Sequence, residues 1–162
     1  MPLRFYSGLG SRKRISRKNM VFQITHGLFQ SGTQLLEPRD CRQFDFTVNL
    51  AHEDGPCNAD IHWGIDDGPL PDTNDLNELA KIVAQRVHRG DSVLVFCSAG
   101  INRSSLVSAL ALAYIKGISG QQAIEEVRRG RPGALNNPNF VDYLSKFSAP
   151  KAIGGGEDDT DQ

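Results

Sequence analysis

The chain has 162 residues, 39% hydrophobic and 23% charged, which suits one globular domain with a sizeable core. Its formal net charge of −1 excludes a basic footprint over the whole domain, so nucleic acid is not an expected partner. No run approaches the ~18 apolar residues of a membrane span.

Charge and cysteine usage say more. Arg4, Arg12, Lys13, Arg14, Arg17 and Lys18 precede any acid, the first being Glu37. Such a start resembles an organelle transit peptide, but its helical apolar face is poor, and residues 1–19 read as a flexible basic arm. Residues 150–162, rich in Gly, Asp and Glu, read as a flexible acidic tail. Residues 20–149 are left as the catalytic-sized unit. Cys41, Cys57 and Cys97 are an odd set with no secretory segment, which points to a reducing, cytoplasmic setting.

In chain order, Val21–Ile24 and Leu28–Gln30 read as short strands around Thr25-His26-Gly27. Phe44–Leu50 is a strand of β-branched and aromatic residues, and Ile61–Ile65 is another. Asp66 to Asp72, with Gly68, Pro69 and Pro71, is a turn. A helix then opens, capped by Asp72 or Thr73, with Asp75 near its positive end. Leu76, Leu79, Ala80, Ile82, Val83 and Val87 share its inner face, and Gly90 stops it. A buried strand over 92–96 and an apolar helix over 104–116 follow. Ser119 caps a helix over 120–129 with Ile124 and Val127 inward. Pro132 and the stretch 133–139 break the chain before a last helix over 138–148. Strands alternating with helices predict a single α/β domain. Its central twisted sheet is largely parallel, with 4–5 strands flanked by helices and right-handed crossovers.

The loop 97–103 then lies at the carboxyl end of a central strand and opens a helix, where anions bind. Backbone N–H groups of Ser98, Ala99, Gly100, Ile101, Asn102 and Arg103 can form a concave anion nest. Gly100 permits the backbone angles of that curl. The same field favours a thiolate at Cys97, the form that is nucleophilic. The planar fork of Arg103 matches two oxygens of a phosphate, and Ser104 can donate to the thiolate. A general acid is also required, and Asp66 and Asp67 stand upstream in the turn. A lone cysteine is commonly a small buried hydrophobe. Gly at +3, Arg at +6 and Ser or Thr at +7 arise by chance at only about 4 in 10,000 cysteines, which favours phosphoryl transfer through a phosphocysteine.

Cys97-Ser98-Ala99-Gly100-Ile101-Asn102-Arg103-Ser104 resembles the Cys-x5-Arg-Ser/Thr loop of the cysteine-dependent dual-specificity protein phosphatases. Trp63-Gly64-Ile65-Asp66-Asp67-Gly68-Pro69 resembles the acid loop of two members, the phosphatases of regenerating liver and the cyclin-dependent-kinase-associated phosphatase. Residues 117–128 and 131–136 are similar to their C-terminal helices, and the likeness covers residues 20–148. It implies a protein tyrosine phosphatase-like fold, the Cys97 thiolate as nucleophile, Asp67 as acid and then base, and Arg103 with the loop amides holding the phosphoryl oxygens. Asp66 stays a second possible acid, and Asn136 matches an Asn that braces the loop. No metal or organic cofactor is implied, and vanadate and tungstate are expected inhibitors. Phe96 departs from the family, which has His before the nucleophile. The change removes a polar partner and makes the setting more apolar, which disfavours a thiolate.

The four histidines show no metal-ligand spacing, although His52, His62 and Asp60 are a conceivable set. Cys57 is a conceivable partner for an oxidised Cys97. Ser98, Ala99, Ile101 and Asn102 carry no charge, which favours a phosphoprotein or phosphopeptide bearing one phosphate over phosphoinositides. A catalytically weak phospho-binding module and an RNA 5′-phosphatase are the competing readings.

Overall fold

A computed structural model describes residues 4–6 and 20–150. Its strands are β1 (Arg4–Tyr6), β2 (Met20–Thr25), β3 (Leu28–Gly32), β4 (Phe46–Asn49), β5 (Ile61–His62) and β6 (Val93–Cys97). Val93–Cys97 has no polar face, and β6 is accordingly buried throughout, between β3 and β4. The sheet order is β1-β2-β3-β6-β4-β5, and only the β2–β3 pair is antiparallel. Residues 20–149 supply five strands. The sixth, Arg4–Tyr6, corrects the reading of residues 1–19 as an arm throughout: it pairs in parallel with β2. The other residues of that stretch, and residues 151–162 of the acidic tail, lie outside the described residues.

The helices are α1 (Pro38–Cys41), α2 (Thr73–His88), α3 (Arg103–Lys116), α4 (Gly120–Gly130) and α5 (Pro138–Ser145). Asp72 caps α2, its carboxylate accepting from the Asp75 N–H at 3.0 Å. Ile82 is a correction: it lies about 120° around the helix from Leu76 and is 38% exposed, whereas Leu79, Ala80 and Val83 are buried. Helix α3 is buried from Ser104 to Tyr114, because it lies against the sheet with α2 and α4 on its flanks. Ser119 and Gln122 form a capping box on α4. The last helix ends at Ser145, three residues early, and Phe147 turns back to meet the Tyr114 ring at 5.6 Å. Helix α1 was not legible as an element, being one turn long. Its signals are Pro38 at the first position and the reciprocal Glu37–Asp40 bonds.

Strand alternation divides the core. Val93, Val95 and Cys97 of β6 face the larger cluster under helices α2–α5. Leu94 and Phe96 face a smaller one with Val21, Phe29, Leu36 and Cys41. The loop that leaves β6 therefore starts from a rigid centre and ends in the most buried helix.

Candidate active site

Cys97 ends β6, and its Sγ sits in the mouth of the turn it begins. The Gly100 N–H donates to Sγ at 3.3 Å, and the thiol donates to Ser104 Oγ at 3.4 Å. Gly100 has φ +73, which a side chain would resist, and a Cβ there would stand 2.7 Å from the Ser31 carbonyl carbon. The curl is held from outside as well. The Gly100 carbonyl accepts from Arg131 Nε at 3.0 Å and from Gln30 Nε2 at 3.4 Å. Gln30 also donates to Ser105 Oγ at 2.7 Å. The Ile101 carbonyl accepts from the Leu135 N–H at 3.0 Å. Ala99 is exposed at the tip and Ile101 is half-buried.

Arg103 opens α3 and joins the two loops. Its Nη1 donates to the Ile65 carbonyl at 3.0 Å, at the root of the acid turn. Its Nη2 donates to Ser98 Oγ at 3.0 Å. Its Nε is buried with no protein partner. A buried guanidinium N–H without an acceptor is costly, and here it belongs to the fork that an oxyanion would engage. Ser98 Oγ in turn donates to Glu53 Oε2 at 2.5 Å, and Thr33 Oγ1 donates to the same oxygen at 3.2 Å. These bonds, the Ser98 one foremost, and the Arg103 charge hold the Glu53 carboxyl below its ordinary value of 4.5.

Asp67 and Asp66 separate cleanly. Asp67 Oδ2 accepts from Asn102 Nδ2 at 3.2 Å, and its Oδ1 from Asn137 Nδ2 at 2.8 Å. Asp66 is bonded instead to His52 Nε2 at 2.7 Å on the exposed side of the turn. Of the two carboxylates, Asp67 is thus the one tied to the loop that Cys97 begins. Asn136 Oδ1 accepts from Asn102 Nδ2 at 2.8 Å. Asn102 Oδ1 accepts from the Asn136 and Asn137 N–H groups at 2.8 and 3.0 Å. Asn136 therefore acts on the loop through Asn102.

One expectation changes, that for Phe96, and two conceivable arrangements are not formed. Phe96 is fully buried in the smaller core, on the sheet face away from Cys97, so its ring does not line the thiol's surroundings. Cys57 packs against that smaller core and lines one cavity with Cys41 on the sheet face away from Cys97, which removes it as a neighbour of Cys97. Asp60 accepts from the Thr47 N–H at 2.8 Å and His62 Nε2 lies 2.7 Å from the Ala51 carbonyl, so the conceivable metal set is spent elsewhere. Among the described residues no group of three His, Cys, Asp or Glu is placed to hold a metal. Glu53, Gln30, Arg131 and Asn137 were not singled out from sequence. Only Asn137 carried a signal, as the residue before Pro138 at a helix start.

A sequence model described as "Dual specificity phosphatase, catalytic domain" matches residues 30–149. The chain belongs to the dual-specificity phosphatase family. Protein tyrosine phosphatase type IVA 3 of Homo sapiens is 28% identical over 144 residues, 82% of each chain. Cyclin-dependent kinase inhibitor 3 of Rattus norvegicus is 35% identical over 88 residues, 53% of this chain and 42% of that one. Among solved structures, Tk-PTP in its active form superposes with TM-score 0.65 at 27% identity, covering 77% of this chain and 95% of that one. A mouse putative dual-specificity phosphatase, solved as a complex with zinc tungstate, superposes with TM-score 0.71 at 23% identity, covering 85% and 91%. The fold is that of these phosphatases, and the family makes this chain a cysteine-based phosphatase. Among the described residues, no helix is long and apolar enough to cross a membrane.

Proposed function

We propose that this phosphatase hydrolyses phosphomonoesters on proteins, phosphotyrosine and also phosphoserine or phosphothreonine, through a phosphocysteine. The observation that carries the reading is the convergence of Cys97 Sγ, the unpartnered Arg103 Nε and Asp67 around one loop. The thiolate attacks phosphorus in line, the S–P bond forms and the P–O bond to the leaving group breaks. Asp67 gives its proton to that oxygen. In the second step Asp67 takes a proton from water, the water oxygen bonds phosphorus, and the S–P bond breaks to return the thiolate. Arg103 and the loop amides hold the phosphoryl oxygens in both steps, and Ser104 donates to the departing sulfur.

Glu53 supports a singly phosphorylated substrate. A carboxylate bonded to Ser98 at the loop repels the additional phosphates of a phosphoinositide or a 5′-triphosphate RNA. The free thiols suit a reducing compartment such as the cytoplasm.

The test is hydrolysis of p-nitrophenyl phosphate in EDTA by wild type and Cys97→Ser, followed by phosphopeptides. Wild-type turnover, its loss in the variant and inhibition by vanadate or tungstate are expected. Oxyanion binding without turnover would replace the reading with a phospho-binding module. Preference for phosphoinositides or triphosphate RNA over phosphopeptides would overturn the substrate class.

A further inference from the structure

Two thiols lie outside the phosphatase site. Cys41 closes α1 and is buried, while Cys57 is half-buried in the irregular segment 50–60 between β4 and β5. The two thiols lie close enough to shift each other's proton affinity. Both belong to the small core on the sheet face opposite Cys97, and both line a cavity of about 360 Å³ with Arg42, Asp45, Thr47 and Asp60. A buried thiol ordinarily acts as a small hydrophobe. Here each has a second thiol nearby, and both line a cavity wide enough for a small oxidant.

We propose that Cys41 and Cys57 form an oxidisable dithiol, a modification site separate from the catalytic cysteine, which a peroxide closes to an intramolecular disulfide. Cys57 is the attacking sulfur, being the more accessible. Its thiolate displaces hydroxide from the peroxide O–O bond, giving a sulfenic acid; the hydroxide takes a proton and leaves as water. The Cys41 sulfur then attacks the Cys57 sulfur and the S–O bond breaks, releasing a second water with the Cys41 proton. In sum two thiols lose two electrons and two protons, and one hydrogen peroxide becomes two waters.

Accessibility assigns these roles. Cys57 is half-buried and Cys41 buried; burial first and the neighbouring Cys57 next push the Cys41 thiol up, while Cys41 favours the charged form of Cys57. Burial opposes the charge on Cys57 and is the larger effect, so the reaction is slower than at a dedicated peroxide-sensing thiolate. Segment 50–60 has no helix or strand to hold it rigid, so Cys57 can move toward the geometry that a disulfide demands.

The sequence makes the product easy to read. Trypsin releases Cys41 in the tripeptide Asp40–Arg42, Cys57 in residues 43–81 and Cys97 in residues 90–103. The full chain carrying Cys97→Ser is treated with hydrogen peroxide, and wild type beside it. The expected result is a mass loss of about 2 Da, a cross-link between the first two peptides in both proteins, and reversal by dithiothreitol. Closing the bridge constrains the unfolded chain and raises the melting temperature by roughly 5 °C. Cys57→Ser, a mild change at the half-buried member, abolishes the mass loss and the cross-link. Stable oxygen adducts without a cross-link, thiols that stay reduced until the chain unfolds, intermolecular dimers, or a link from residues 90–103 to either other peptide would each overturn the proposal. Every readout is a mass or a melting point, so the result stands apart from whether the phosphatase reading holds.

Discussion

Asn102 donates through Nδ2 to the Asp67 carboxylate at 3.2 Å, and this bond is a direct tie between the phosphate loop and the acid turn. Asn102 is the residue before Arg103, and the two adjacent side chains bind adjacent parts of the acid turn, Asp67 and the Ile65 carbonyl. On the proposed function, placement of the acid is thereby coupled to the loop that holds the phosphate. Replacing Asp67 by Ala removes the acid and should cost about 10²- to 10⁴-fold for poor leaving groups. Asn102→Ala leaves Asp67 with its Asn137 bond and should cost about tenfold. The loss should grow as the leaving group becomes more basic, from p-nitrophenyl to phenyl phosphate, because only the poor leaving group needs the proton. An equal loss across that series would mean that Asn102 supports the loop and does nothing for the acid.

Arg131 holds the loop from the other side. Its Nε donates to the Gly100 carbonyl at 3.0 Å, and its guanidinium lies over the Phe22 ring at 4.4 Å. Burial pulls the guanidinium's affinity for its proton down, and the Cys97 charge partly restores it, so the loop bond and the thiolate favour the same charged state. A charged hydrogen bond of this kind contributes about 1.5–3 kcal/mol. Arg131→Met keeps the apolar stem over Phe22 and loses the donor. It should lower kcat/KM about tenfold or more with a smaller loss in urea stability. Arg131→Lys should not restore activity, since a point charge neither stacks nor presents the fork. Full rescue by Lys would show that charge alone matters there.

How far the sequence was legible follows from which interactions are local. The buried strand Val93–Cys97, the caps Asp72 and Ser119, and the Cys97–Ser104 loop are written in contiguous residues, and the architecture follows from them. Glu53, Gln30 and Arg131 reach the loop across separations of 45, 70 and 31 residues, which no local pattern encodes. Phe96 shows a different kind of miss. The departure from His was visible, but its consequence depends on strand alternation. Adjacent residues of β6 face opposite sides, so Phe96 and Cys97 share a peptide bond and no surroundings.

That alternation makes a prediction for Phe96. The ring is fully buried, and a Cβ on Gly55 would stand 2.6 Å from it, so the site has no slack. Phe96→Ala should destabilise the protein by about 3–5 kcal/mol in urea unfolding. Phe96→His should also destabilise, by about 1–3 kcal/mol, because a polar ring enters an apolar cluster. Activity per folded molecule should stay within a few-fold of wild type for both. A large loss of turnover at unchanged stability would mean that residue 96 acts on the thiolate after all.

Glu53 carries a pH signature whose sign is fixed by its bonds. Ser98 and Thr33 donate to the carboxylate and Arg103 attracts it, so its folded value lies below the ordinary 4.5. A group depressed on folding stabilises the protein above its unfolded value, and that contribution fades as pH falls through the folded one. The melting-temperature difference between wild type and Glu53→Gln should thus be constant from neutral pH down to about pH 5.5, then shrink below 4.5. Glu53 is exposed, so the difference should be small and should narrow in high salt. The two interactions respond differently to the substitution. Gln can still accept from Ser98 Oγ, so the bond survives while the charge opposite Arg103 does not. A gap that persists unchanged at pH 3 would mean that the Gln amide itself disturbs the site and that the charge contributes nothing. A gap that closes assigns it to the charge, and with it the electrostatic guard that Glu53 places beside the phosphate loop.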